Sequence, residues 1–226
     1  MRGMDMIDLA AYLDSTNLRP EARQMDIEQL CREAVEHNMA AVCVHPYRLP
    51  LGRRLLAGSP VQLCTVVGFP LGADGVASKA YLAAAALGEG ADELDMVINI
   101  GAVKDRDYLT VGKEIEAIAA LKQENRFTLK VIIETALLEN EELAEIIRLI
   151  NQTESDFVKT STGFGPRGAS QEDITNIIKY KRPSLKIKAA GGIRELDLAL
   201  ALINAGADRI GTSSAGQLLK AYQAAL

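Results

Sequence analysis

Lys159 and Lys188 are the two residues whose type and placement most directly indicate chemistry. Lys159 ends the short apolar segment Phe157-Val158-Lys159, which leads into a loop rich in Gly, Ser and Thr. Such a segment, bounded by turn residues, is typical of a buried strand. Burial drives a lysine toward its neutral form, and a neutral amine is a nucleophile. The plainer alternative is a lysine whose ammonium group reaches solvent at the strand end.

Lys188 lies one predicted helix and one predicted strand after Lys159, which places the two lysines at comparable depth on neighbouring strands. Like-charge repulsion and desolvation would lower a lysine pKa from about 10.4 toward ~7–8, where the free amine is abundant at neutral pH. A neighbouring cation is one way to activate a Schiff-base lysine. Asp95, at the end of another strand, would take and return protons. The alternative is that Asp95 and Lys188 merely form an ion pair.

The elements that must position these groups alternate regularly. Eight predicted strands alternate with eight predicted helices, and a short lead-in helix at 6–13 precedes them. Strict alternation implies parallel strands, and eight of them predict a (β/α)8 TIM barrel. No linker or shift in composition divides the chain, so we expect a single domain over residues 1–226. The alternative fold is a doubly wound open sheet. The predicted strands are 12–16, 41–44, 62–67, 93–98, 128–133, the segment ending at Lys159, 185–189 and 209–211; the predicted helices are 26–36, 50–56, 78–87, 108–122, 140–150, 171–180, 195–204 and 215–224.

Several residues predict how these elements begin and end. Asp26 is a candidate N-cap of the first long helix, and Asn38 is a candidate residue just beyond its end. The tripeptide Gly-Ala-Asp precedes both the fourth and the eighth strand. Its glycines, Gly90 and Gly206, are expected to adopt the positive φ that ends a helix before the next strand.

Three small-residue loops predict an anion site. They follow the sixth, seventh and eighth strands, at 162–165, 190–193 and 211–214. Phosphate sites in this fold are commonly built from the last loops and a helix N-terminus. Each loop by itself is an ordinary turn, but three in succession favour a phosphorylated ligand. Arg167 and Arg194 are nearby candidates for its charge partners, unless they are simply surface residues.

Composition restricts the partners. The net charge of −5 and the pI near 5.2 argue against a general binder of nucleic acid or anionic membranes. Three cysteines (Cys31, Cys43 and Cys64) lack metal-type spacing and predict reduced core thiols, as expected in the cytoplasm. The first eight residues do not predict a signal peptide, and no apolar run approaches a membrane span. We therefore expect small-molecule ligands, and neither a nucleic acid nor a membrane.

Taken together, six segments resemble the deoxyribose-phosphate aldolase family. They run in the family's order across nearly the whole chain, and their combination is highly specific although no single one is. They are VKTSTGFG (158–165), KAAGGIR (188–194), ELDMVIN (93–99), LKVIIET (129–135), CTVVGFPLG (64–72) and GTSS (211–214).

The resemblance implies a class I aldolase that cleaves 2-deoxy-D-ribose 5-phosphate reversibly to acetaldehyde and D-glyceraldehyde 3-phosphate, in the catabolism of deoxyribose phosphates. Lys159 matches the Schiff-base lysine, Lys188 the lysine that perturbs it, Asp95 the proton-relay carboxylate and Lys130 a supporting lysine. It also implies a homodimer or homotetramer and no metal or cofactor, because the protonated imine is itself the electron sink. The expected substrate- and phosphate-binding residues are Asp14, Thr160, Gly163, Gly191, Gly192, Gly211, Ser213 and Ser214.

Three positions depart from the family pattern. Ser15 stands where many members have His, Ala190 replaces a Ser, and the chain lacks the terminal tyrosine of some members, Tyr222 lying back in a predicted helix. Proton transfer at the enamine carbon is therefore expected to depend on Asp95, Lys188 and water. Two other functions stay open: a different phosphosugar class I aldolase, and a non-catalytic phosphosugar-binding barrel. The second would need the glycine loops but not the paired lysines.

Overall fold

Eight parallel strands close into a barrel in the computed structural model, which describes residues 7–225. Each strand pairs with the next along the chain, and the last pairs with the first. The predicted (β/α)8 barrel is confirmed, and the open-sheet alternative is wrong because β1 and β8 are hydrogen-bonded. The strands are β1 (Leu13–Asn17), β2 (Ala41–Val44), β3 (Gln62–Val67), β4 (Glu93–Val97), β5 (Thr128–Ile132), β6 (Phe157–Lys159), β7 (Lys186–Ala190) and β8 (Arg209–Thr212).

Nine α-helices occur among the described residues, one more than predicted. The additional helix is α4, a short segment that begins directly after β4, where the Asn99 side chain caps it by accepting a hydrogen bond from the Ala102 N–H. Its length of five residues gave no periodic pattern to detect. The helices are α1 (Gln24–Glu36), α2 (Leu49–Leu55), α3 (Val76–Gly88), α4 (Ile100–Lys104), α5 (Tyr108–Ala119), α6 (Asn140–Asn151), α7 (Gln171–Tyr180), α8 (Leu196–Asn204) and α9 (Ala215–Ala225).

The ends of the elements follow local chemistry, with one correction. Asp26 is not the N-cap of α1: it lies in the first turn, and its carboxylate accepts a hydrogen bond from the N–H of Arg23, the residue that precedes the helix. Asn38 adopts a φ of +51° after the helix, as predicted. Gly90 and Gly206 have φ values of +93° and +114°, so both occupy the positive-φ positions expected before β4 and β8.

Side chains alternate along each strand between the surrounding helices and the barrel lumen. On β4, Leu94 and Met96 face outward into the main hydrophobic core, whereas Asp95 faces inward, and all three are fully buried. A small apolar cluster occupies the lumen beside β2 and β3, and the remaining lumen carries charges. The cluster consists of Leu18, Ala41, Cys43, Cys64 and Val66.

The amino-terminal end of the barrel is covered by the lead-in segment. The described part of the predicted helix at 6–13 is a 3-10 helix, Leu9–Tyr12, while residue 6 lies outside the described residues. Tyr222 of α9 fixes this segment, because its hydroxyl donates to the Ile7 carbonyl and accepts from the Ile7 N–H, each at 3.1 Å. In the described part of the chain, no helix has the length and apolarity needed to cross a membrane.

Candidate active site

Asp95 lies at the centre of a group of buried ammonium groups. Its Oδ2 atom accepts hydrogen bonds from Lys159 Nζ at 2.7 Å and from Lys188 Nζ at 2.8 Å. Its Oδ1 atom accepts one from Lys130 Nζ at 2.9 Å. The strand register places them together, since Lys159 is the Cα partner of Lys188, and Asp95 that of Lys130. The four predicted catalytic side chains therefore meet at one carboxylate.

A second set of charges surrounds this group. Asp14 lies 2.6 Å from Lys188 Nζ through Oδ2 and accepts a hydrogen bond from Arg209 through Oδ1 at 2.5 Å. Glu93 accepts one from Lys130 at 2.5 Å and a longer one, 3.4 Å, from Arg209. The lumen thus holds three carboxylates and four cationic side chains in one connected network.

The network determines which groups stay ionised. Burial by itself raises the pKa of Asp95, but Lys130, Lys159 and Lys188 outweigh it and hold that pKa well below its usual range. Burial opposes the charge on Lys188 as well, yet Asp14 and Asp95 raise its pKa above the ordinary value. Lys188 is therefore expected to be charged at neutral pH. Lys188 thus has the charge expected of the neighbouring cation, and Lys159 remains the candidate nucleophile.

Two thiols border Asp95. Cys64 Sγ donates to Asp95 Oδ1 at 3.2 Å, and burial raises the pKa of this thiol well above its usual value. Cys43, Cys64 and Asp95 also place ligand-type atoms within 4.8 Å of one another, which is a potential metal-ligand group among the described residues. The Asp95 carboxylate is already shared by three ammonium groups. Because these repel a divalent cation, the surroundings do not favour a metal there.

A cavity of about 550 Å³ opens above this network, and Lys159 is the one member of the network that lines it. All four predicted glycine positions and Ser213 form much of its wall, beside Arg19, Arg194 and the exposed ring of Phe164. The glycine positions are Gly163, Gly191, Gly192 and Gly211, and the other lining residues are Thr16, Asn17, Leu18, Leu30, Thr162, Ala190, Ile193 and Thr212.

The loops after β6 and β7 pack too closely for side chains at two positions. A Cβ atom on Gly168 would lie 1.9 Å from the Gly191 carbonyl oxygen, and Gly191 itself has a φ of +87°. Gly163, on the cavity side of the first loop, also has a φ of +87°. Glycine is therefore required for these two loops to form one continuous backbone wall on the cavity.

Glu134 fixes the loop after β6 from below. It adopts a left-handed conformation with a φ of +49° and is buried. Its Oε2 atom accepts hydrogen bonds from the Thr162 N–H at 3.0 Å and from the Thr162 hydroxyl at 2.5 Å. The Phe164 N–H in turn donates to the Thr162 hydroxyl oxygen. This arrangement presents Gly163 and Phe164 to the cavity.

Several predicted binding residues lie outside the cavity lining. Asp14 is fully buried beneath Lys188. The Thr160 hydroxyl accepts a hydrogen bond from the Ala190 N–H, so it joins β6 to β7. Ser214 is half-buried at the start of α9. Arg167 is held by Asp173 through two hydrogen bonds of 2.6 and 2.9 Å, whereas Arg194 lines the cavity.

Tyr222 and the two other departures also have defined places. Tyr222 binds the lead-in segment before β1, at the amino-terminal end of the strands, while the cavity lies at their carboxyl-terminal end. Ala190 lines the cavity, so the hydroxyl missing there would have belonged to its wall. Ser15 lies on the face of β1 opposite to Asp14.

The structure brings four further residues to the site that were not predicted from the sequence. They are Glu93, Arg209, Arg19 and Glu134, the last of which holds the loop after β6 through Thr162. Two of them had a usable signal. Glu93 lies two positions before Asp95, and Arg209 lies two before Gly211, so strand alternation puts both on the lumen face. Arg19 had no such signal, because it lies beyond the end of β1 in a loop whose course depends on tertiary packing.

Comparison with known proteins agrees with this architecture. The family model described as DeoC/LacD family aldolase matches residues 8–224. A deoxyribose-phosphate aldolase of Thermococcus gammatolerans is 48% identical over 216 residues, 95% of this chain and 96% of that protein. One of Clostridium perfringens is 47% identical over 211 residues, 93% and 94% of the two chains. The solved structure of a deoxyribose phosphate aldolase from Aeropyrum pernix, described as a unique tetramer, matches with a TM-score of 0.89 at 32% identity, over 96% of this chain and 92% of that one.

Proposed function

Because the chain belongs to the DeoC/LacD family of aldolases, we propose that it cleaves 2-deoxy-D-ribose 5-phosphate reversibly to acetaldehyde and D-glyceraldehyde 3-phosphate through a Schiff base on Lys159. The observation that carries the proposal is the position of Lys159. Its ammonium group is bonded to Asp95 at the base of the cavity, and only 3% of the residue is exposed. A binding protein would have no use for three lysines gathered at one carboxylate.

The reaction begins when Lys159 loses a proton and its amine attacks the C1 aldehyde of the open-chain sugar. The carbinolamine loses water to give a protonated imine. A base removes the C3 hydroxyl proton, the C2–C3 bond breaks, and its electrons move into the imine to form an enamine. Glyceraldehyde 3-phosphate leaves, C2 of the enamine takes a proton, and hydrolysis releases acetaldehyde and regenerates Lys159.

Asp95 and Lys188 are placed to carry these protons. Both Lys159 and Lys188 bond to the same oxygen of Asp95, so a proton that leaves Lys159 has an acceptor at 2.7 Å. The charged Lys188 also repels the neighbouring Lys159 ammonium, the kind of cation pairing that activates a Schiff-base lysine. Lys130 holds the other oxygen of Asp95 and so fixes the orientation of the carboxylate. Water in the open cavity would complete the relay.

The phosphate is proposed to lie against the backbone wall of Gly163, Gly191 and Gly192, with Ser213 beside it. Backbone N–H groups in glycine loops and at a helix N-terminus suit a phosphate, and α9 starts just after this wall. Arg194 and Arg19 add positive charge to the lining. Arg19 is held only by long ion pairs, since its contacts with Glu21 and Asp26 are both 3.9 Å.

We further propose that the protein acts as a homodimer or homotetramer in the cytoplasm. The tetrameric Aeropyrum pernix relative supports assembly. Large apolar side chains on the surface, among them Tyr47, Leu71 and Tyr81, each more than 70% exposed, are also compatible with it. The three free, buried thiols suit a reducing compartment.

Borohydride trapping tests the proposal directly. The protein is incubated with deoxyribose 5-phosphate or acetaldehyde, reduced, digested and mapped by mass spectrometry. We expect a reduced two-carbon adduct on Lys159, and none when borohydride is omitted. An adduct formed only with other phosphosugars would indicate a different class I aldolase. Absence of any adduct on folded protein that still binds the sugar phosphate would leave the non-catalytic barrel.

A further inference from the structure

Glu93 and Arg209 lie in the lumen beneath the lysines and do not line the cavity. Glu93 is 2% exposed and Arg209 is 18% exposed on its side chain. Glu93 binds Lys130 at 2.5 Å, and Arg209 binds Asp14 at 2.5 Å. Their contact with each other, at 3.4 Å, joins the two ends of the network. Neither residue is placed to touch a substrate, yet each holds a partner of a residue at the site.

The charges of the network do not balance. When every group is ionised, three carboxylates face four cations, which leaves one net positive charge in a largely buried network. Loss of a single proton makes the network neutral. Lys130 and Lys188 are enclosed by carboxylates, and their pKa values are raised by them. Lys159, by contrast, contacts a single carboxylate and faces the cavity, so among the three lysines it has the fewest carboxylate partners.

We propose that Glu93 and Arg209 are positioning residues that set this excess of one positive charge, and thereby set the pH at which Lys159 becomes a nucleophile. The inference rests on the proposed function. It predicts opposite effects for the two residues. Loss of the Glu93 charge raises the excess to two and favours the neutral amine, whereas loss of the Arg209 charge removes the excess and favours the ammonium.

The charge count includes at least one group from each of the eight strands. Two nearby charged residues are left outside it: Lys186 of β7, which is exposed and lies over the Phe157 ring, and Glu134, which is bonded to Thr162 in the loop after β6. The count treats the two thiols on β2 and β3 as neutral. Burial supports this for Cys64, whose pKa it raises, whereas a hydrogen bond with Cys64 lowers the pKa of Cys43. The facing groups are Asp14 on β1, Cys43 on β2, Cys64 on β3, Glu93 and Asp95 on β4, Lys130 on β5, Lys159 on β6, Lys188 on β7 and Arg209 on β8.

The test compares Glu93→Gln, Arg209→Gln and the double variant with the parent. The rate of borohydride-trapped imine formation with acetaldehyde is measured from pH 5 to pH 10, with kcat/KM for deoxyribose 5-phosphate alongside. We expect the acidic midpoint to fall in Glu93→Gln and to rise in Arg209→Gln, each by about one pH unit. That is the effect of a unit charge roughly 10 Å away at an effective dielectric constant of about 20. The double variant restores the charge count and should return the midpoint to the parental value.

Arg209→Lys is the conservative control, since it keeps the charge and should keep the parental midpoint. If Glu93→Gln fails to fold, the midpoints of Arg209→Lys and Arg209→Gln can still be compared with each other. They differ in the charge at position 209 and therefore still test the proposal. Equal midpoints in all folded variants, or shifts in the same direction, would overturn the charge-setting role. If the parent enzyme itself gives no adduct on Lys159, the proposed function has failed instead, and the two failures are thus distinguishable.

Discussion

Lys188 inside the barrel and Lys79 outside its wall are both completely buried, but their surroundings differ. Lys79 of α3 pairs with Glu114 of α5 at 2.5 Å and also donates to the Val97 carbonyl at 2.8 Å. Burial lowers the pKa of Lys79 more than this one carboxylate raises it, and burial likewise raises the pKa of Glu114. Around Lys188, two carboxylates outweigh the burial, and the pKa rises.

The Lys79–Glu114 pair and the lysines around Asp95 also differ in how many charged partners each group has. Glu114 also accepts a hydrogen bond from the Asn99 N–H at 2.6 Å, so the Lys79 pair joins α3 and α5 to the end of β4. Each group has one charged partner, and loss of either leaves the other buried and alone. In the lumen three ammonium groups share Asp95, so one can give up its proton while the carboxylate keeps two partners. In the proposed mechanism the shared carboxylate serves the reaction at Lys159, whereas the Lys79–Glu114 pair connects elements of the fold.

A Lys→Met substitution in the lumen network and one in the Lys79 pair test this comparison. The largest effect is expected for Lys159→Met. We expect turnover of deoxyribose 5-phosphate to fall by at least about 10⁴-fold, because no other side chain can form the imine at that position. The free energy of unfolding should change little, since Asp95 retains Lys130 and Lys188. A coupled assay for glyceraldehyde 3-phosphate and urea denaturation measure the two quantities. Turnover within tenfold of the parent would exclude the covalent role.

Lys79→Met should show the reverse pattern. The substitution leaves the Glu114 carboxylate buried without its cation, which costs about 3–5 kcal/mol of the free energy of unfolding. Turnover per folded molecule should remain at the parental level. Urea denaturation followed by circular dichroism gives the stability, and active-site titration by trapping gives the folded fraction. Lys113→Met, at an exposed position of the same helix as Glu114, is the matched control and should leave both quantities unchanged.

Asp14→Asn tests the lumen network through the pH dependence of the unfolding free energy. Burial opposes ionisation of Asp14, but Lys188, Lys130 and Arg209 lower its pKa to about 2. The pKa of an Asp carboxyl in the unfolded chain is about 3.9. The Asp14 carboxylate therefore stabilises the fold above that pH, and this contribution is lost as the pH falls through about 2. The parent should therefore lose about 2–3 kcal/mol from this group between pH 5 and 2. In urea denaturation at several pH values, the unfolding free energy of the variant should fall less between pH 5 and 2 than that of the parent. An equal fall in both proteins would refute the assignment.

Much of the fold was predictable because periodic patterns are local. All eight strands and the main helices follow from alternation and amphipathic spacing, which a strand or helix imposes on its own residues. The helix α4 was not predicted because five residues carry no period. Asp26 was taken for the N-cap because a carboxylate is common there, but from the first turn it accepts the N–H of the preceding residue, Arg23, instead. Such boundary details depend on side-chain geometry that a pattern does not contain.

For the site, residue types and strand ends were enough to place Lys159, Lys188, Asp95 and Lys130 at one edge of one barrel. The identity of their hydrogen-bond partners was beyond reach, because it depends on register between strands far apart in the chain. Only that register brings Arg209 to Asp14, and the glycine loops to one another. The sequence by itself therefore determined which groups carry charge and which face of each strand holds them. The tertiary structure alone decided how those charges are shared, since electrostatic energy depends on distances and burial that appear only when the barrel closes.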